Sequence, residues 1–139
     1  MSAGPPQPGT RSGSPFEEAF GFRRAVLADG RVIVSGTAPI EPGGGCAEGA
    51  EAQADRCLAI IAGALRELGS GPDDVVRTRM YIVDAADAES VGRAHRRAFD
   101  TARPAATMVV VAGLLDPRWR VEIEAEAVLR RPPDASRPG

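Results

Sequence analysis

Lysine and asparagine are absent from the 139 residues, and histidine occurs once. All 17 basic side chains are therefore arginines. The missing lysine excludes a Schiff-base nucleophile, a pyridoxal anchor and a P-loop lysine. His95, Cys46 and Cys57 fit no common Cys/His zinc spacing, so neither a metal site nor a cofactor is expected. Aromatic residues are few, one Trp, one Tyr and four Phe, and 19 acidic side chains bring the net charge to −2. A nucleic-acid partner, which calls for a basic stripe or stacking residues, is not expected. No apolar run approaches the roughly 18 residues of a membrane span, and the Ser/Gly/Pro-rich start lacks the apolar stretch of a signal peptide. The expectation is a cytoplasmic protein with no membrane partner and, in that compartment, no disulfide.

Glycine and proline crowd into residues 1–14 and 131–139, which read as disordered tails. Residues 15–130 read as a single domain. Phe22–Val26 and Arg31–Gly36 flank Ala28-Asp29-Gly30, the pattern of a β-hairpin. From Glu48 to Leu68, Ala54, Cys57, Leu58, Ile61 and Leu65 recur at three- and four-residue steps, which predicts a long amphipathic helix stopping at Gly69. Val75–Val83 alternates, with Val76, Thr78, Met80 and Ile82 on one face and Arg77, Arg79 and Tyr81 on the other. A second helix over Ala88–Thr101 and strands over Thr107–Ala112 and Val121–Val128 complete a ββαβαββ order. That order suits an α+β fold, two helices on one face of a mixed sheet. The other face carries Arg77, Arg79, Tyr81, Glu122, Glu124 and Glu126, and leaving it uncovered in so small a domain points to self-association.

Five segments in register resemble the Rid (RidA/YjgF) family over about residues 20–130. They are Ser35-Gly36-Thr37-Ala38-Pro39, the helix around Gln53, Gly69 followed by Asp73-Asp74-Val75-Val76, Arg103-Pro104-Ala105, and Val121-Glu122-Ile123-Glu124-Ala125. The resemblance implies a chorismate-mutase-like homotrimer with small-molecule sites in clefts between subunits. It also implies cofactor-free hydrolysis of reactive enamines and imines to a carbonyl compound and ammonia. In the family an arginine directly after Pro-Ala grips the substrate carboxylate, and here that position is Ala106. Phe22 stands where a tyrosine is common, Gly92 where an asparagine is, and Met108 where a cysteine is. Ser35, Gly36 and Glu122 match the family's cleft residues.

The resemblance assigns catalysis to Glu122, as proton donor or water-positioning group, and substrate contact to the positions of Phe22, Ser35, Gly36, Ala106, Thr107 and Met108; Arg79 and Trp119 are added as further contact candidates. Glu122 has a second reading, a cross-sheet ion pair with Arg77 or Arg79. Arg79 either replaces the missing anchor or pairs with a glutamate. Trp119 is either a cleft rim or a packing residue, and His95 reads as a surface or subunit-contact histidine. With Ala106 in the anchor position, typical 2-aminoacrylate deamination is not expected; the substrate is neutral, larger or held by Arg79. Two rival classes are a non-catalytic ligand-binding or assembly trimer and, with less support from the residues, an endoribonuclease.

Overall fold

The computed structural model describes residues 9–10 and 14–130. β1 (Gly9–Thr10) pairs antiparallel with β2 (Ala25–Ala28), Thr10 opposite Ala25. That pairing corrects the expected tail at these two residues; what remains of both tails, Ser14 apart, lies outside the described residues. α1 (Pro15–Phe20) was not apparent from the periodicity. Its start is local: Ser14 Oγ accepts the Phe16 N–H at 3.2 Å, and Pro15 occupies a position where no amide partner is needed.

The hairpin forms as expected, with β2 joined to β3 (Arg31–Thr37) by Asp29 and Gly30. Their φ values of 50° and 72° are the left-handed pair of a two-residue type I′ turn. Phe22, expected inside the first strand, instead lies in the segment between α1 and β2.

α2 (Ala50–Glu67) buries Ala54, Cys57, Leu58, Ile61 and Leu65 against β3 and against β6 (Val121–Val128). Between them in sequence come β4 (Val75–Ile82), α3 (Ala88–Phe99) and β5 (Ala105–Val110). The sheet order is β1-β2-β3-β6-β4-β5, and among the described residues only β4 and β5 run parallel. The two long helices, α2 and α3, lie on one face. α3 packs on α2, and His95 reaches Thr78 of β4 at 2.8 Å.

Two strand expectations are corrected. A register shift between Val75 and Arg77 turns Val75 inward and leaves Val76, expected in the core, 39% exposed. β5 starts at Ala105 rather than Thr107, because its parallel ladder with β4 takes hold directly after Pro104, with Ala105 opposite Arg77. Among the described residues, no helix is long and apolar enough to cross a membrane.

Candidate functional site

β6 alternates strictly, sending Val121, Ile123, Ala125 and Ala127 into the core and Glu122, Glu124 and Glu126 to the open face. Two of the three glutamates are occupied. Glu124 accepts from Tyr81 Oη at 2.8 Å and from Arg79 at 3.2 Å, and Glu126 pairs with Arg31 at 3.1 Å and Arg79 at 3.7 Å. Glu122, opposite Tyr81, has neither an ion pair nor a hydrogen bond among the described residues. The cross-sheet pairing that was one reading of Glu122 belongs to its neighbours.

The backbone of β3 makes room for this carboxyl. Between Val34 and Thr37 the ladder with β6 shifts register, so β3 carries an extra residue at Ser35-Gly36, a bulge. A Cβ on Gly36 would lie 2.9 Å from Glu122 Oε2, closer than any real side chain tolerates. Burial pushes the Glu122 carboxyl above the usual glutamate range, the Arg24 guanidinium pulls the other way, and Glu124 adds to the rise.

Glu122 and Gly36 border a cleft of about 640 Å³, within the range of roughly 300–1,000 Å³ common for ligand sites. Phe16, Phe20 and Phe22 line it from α1 and the following segment, Arg56, Ile60 and Gly63 from α2, and Leu115 and Trp119 from the loop before β6. Of the residues assigned to substrate contact, Phe22, Gly36 and Trp119 come together with Glu122 here, which places Trp119 on the cleft wall. Ser35 stands behind that wall, its Oγ donating to the Arg23 carbonyl at 2.7 Å and its amide to the Arg24 carbonyl.

The other assigned residues are elsewhere. Arg79 is held by Glu124 and Glu126, outside the cleft lining. Ala106, Thr107 and Met108 lie on β5, the edge strand two places from β6, with Ala106 and Thr107 exposed. His95 sits between Thr78 and Phe99 on the helix side, where burial holds its pKa below the usual histidine value.

Two positioning residues carried no site assignment from the sequence, Gln53 having entered it only as part of a helix motif. Gln53, buried on α2, donates to the Ala47 and Arg118 carbonyls and accepts the Arg120 amide at 2.7 Å, tying the loop that carries Trp119 to the helix. Arg24 lines the cleft beside Glu122, with Nη1 donating to the Gly36 carbonyl and to Thr37 Oγ1, both at 3.0 Å. Its only sequence signal is a charged residue directly before an apolar strand. Among the described residues no three His, Cys, Asp or Glu side chains group as a metal site, and both cysteines are free thiols.

A family profile described as Endoribonuclease L-PSP matches residues 14–129. A Mycobacterium tuberculosis structure, Rv2704, described as a member of the YjgF/YER057c/UK114 family, is 39% identical with a TM-score of 0.82, over 89% of this chain and 100% of that one. The chain belongs to the YjgF/Rid family. SCO2049 of Streptomyces coelicolor is 42% identical over 84% of this chain and 88% of its own length. YyfA of Yersinia pestis, described as a Rid-family protein of unknown function, is 29% identical with a TM-score of 0.73, over 78% of this chain and 87% of that one. The mixed α+β architecture is thus that of the YjgF/Rid family.

Proposed function

We propose that this YjgF/Rid protein binds a small reactive imine, enamine or related carbonyl compound in the Glu122 cleft and hydrolyses or tautomerises it without a cofactor. One observation carries the reading. Glu122 is the glutamate of the β6 row left without a partner, and it stands half-buried in a cleft, where burial raises its pKa. A carboxyl poised in this way delivers a proton to the imine nitrogen, which makes the carbon electrophilic. The resulting carboxylate then takes a proton from the attacking water and passes it to the carbinolamine nitrogen; the C–N bond breaks, ammonia leaves and the hydroxyl proton returns to the carboxylate as the carbonyl forms. The balance is imine plus water to carbonyl compound plus ammonia. For an enamine the first proton goes to carbon; if the iminium nitrogen then returns an N–H proton to the Glu122 carboxylate in place of water attack, the product is the imine, a tautomerisation.

The uncovered sheet face, with Ile33 and Val109 more than two-fifths exposed, supports self-association, which the family resemblance takes to be trimeric. In such an assembly the exposed β5 residues Ala106 and Thr107 and the neighbouring Met108 would belong to a cleft completed by a second subunit. Ala106 brings no guanidinium there, so activity on three-carbon 2-aminoacrylate is expected to be weak. RNA cleavage draws support from the descriptions of the family profile and of similar structures, not from the residues; His95 is occupied by Thr78, and the net charge is −2.

The test is ammonia release from freshly generated imines of different size, comparing the wild type with Glu122→Gln. We expect imines with a large apolar body to turn over, and Glu122→Gln to lower the rate by roughly 10²–10⁴-fold. Equal rates in the two proteins would favour the non-catalytic binding reading.

A further inference from the structure

We propose that Arg24 is the anion-binding residue of the cleft, holding the carboxylate of a ligand whose apolar body lies on Phe16, Phe22 and Trp119. The inference rests on the imine reading for the reaction, but the binding it describes stands separately.

Arg24 is held in place by its own structure. Nη1 is committed to the Gly36 carbonyl and Thr37 Oγ1, so the guanidinium plane is fixed against the bulge of β3. Nε is shielded from solvent and has no hydrogen-bond partner, and among the described residues Nη2 has none either. Its anionic neighbours are Glu17 and Glu122, yet it forms no ion pair with either. A half-buried guanidinium is normally matched by an acceptor, because desolvating a charge without one is costly. Arg56, the other cationic residue of the wall, is already engaged by the Ile40 carbonyl and Glu41. Arg77 also has a shielded Nε without a partner, but it is not part of the cleft wall.

The surroundings define the anion. Glu41, Glu67 and Glu122 also line the cleft, and with Arg56 engaged by Glu41 the one uncommitted guanidinium among these carboxyl groups suits a monoanion better than a phosphate dianion. A carboxylate oxygen is a strong acceptor for Nη2, the guanidinium nitrogen left uncommitted once Nη1 is engaged and Nε is shielded. The aromatic and aliphatic walls extend well beyond a three-carbon acid, and leaving them uncovered would forgo the burial that drives binding. The structure therefore assigns the site to a carboxylic acid carrying an aryl or extended alkyl group, with its acid end at Arg24 and its reacting carbon near Glu122.

Three unreactive probes test this by calorimetry on the full chain: 3-phenylpropanoate, 3-phenylpropanamide and propanoate. The wild type should bind the phenyl acid at least about tenfold more tightly than either of the others, the scale of a hydrogen bond to a charged group. Arg24→Gln should abolish the preference for acid over amide without changing amide affinity, and Arg24→Lys should restore part of it. Equal affinity of the wild type for acid and amide would overturn the proposal. So would an Arg24→Gln protein that loses both ligands equally, since that is the mark of a purely structural arginine. Should Arg24→Gln not fold, the wild-type comparison and Arg24→Lys still decide. Selective acid binding without imine turnover would defeat the proposed reaction and keep Arg24 as the anchor. Glu122-dependent turnover without acid selectivity would do the reverse.

Discussion

Gly36 and Glu122 share one small space, and the outcome of filling it can be stated in advance. A Cβ at Gly36 meets Glu122 Oε2, the mobile end of a side chain, so the carboxyl yields more readily than the backbone. We expect Gly36→Ala to reduce turnover at least tenfold, on the order of a misplaced catalytic group, while the thermal midpoint stays close to the wild type. Rate and melting measurements on the same preparation check this. A large fall in the midpoint with turnover intact would show that the carboxyl does not depend on this space. His95 gives a prediction about pH. Burial lowers its pKa in the folded chain, whereas the unfolded chain keeps a value near 6.5. The unfolded state therefore binds the proton more readily, and stability rises with pH in this window. Its contribution is complete above about pH 6.5 and is lost as the pH falls through the lower folded value. Denaturant midpoints across this range should fall on acidification, and His95→Gln should flatten the slope.

At the scale of elements, the hairpin turn and α2 show how local pattern becomes packing. Gly30 at φ 72° is required by its conformation, and a side chain there is strained although nothing crowds it. Gly30→Val should destabilise the fold by about 1–2 kcal/mol, the cost of a left-handed non-glycine residue, as read from urea unfolding. α2 packs its apolar stripe on β3 and β6, with Ile61 and Leu65 fully buried. Ile61→Ala should cost about 2–5 kcal/mol through lost burial and a residual cavity, and Leu68→Ala, at the half-buried end of the helix, distinctly less. Similar losses at the two positions would contradict this packing. The hairpin, α2 and β6 were legible in the sequence because each is set by a local period, two for strands and about 3.6 for the helix. The inward place of Val75 was not, since it follows from the register with β6.

For the whole molecule, the question is what covers the second face of the sheet. It carries the ion pairs of Arg79 with Glu124 and Glu126 beside exposed Ile33 and Val109. If association completes the fold, the thermal midpoint should rise with protein concentration, since only the folded state assembles, and sedimentation should give a multiple of 14.5 kDa. A monomeric mass with an unchanged midpoint would remove the basis for a shared cleft. The sequence by itself determined the order of the main elements and the faces of β6, because periodicity is a property of neighbouring residues; Glu122 was singled out through the family resemblance of its segment. Tertiary structure alone decided that Glu124 and Glu126 are occupied while Glu122 is not, and that Arg79 is spent on them. It also decided that Arg24, 98 positions earlier in the chain, shares the cleft with Glu122. These outcomes depend on cross-strand register and on the bulge in β3, and pairing between distant segments leaves no local signature in composition or spacing.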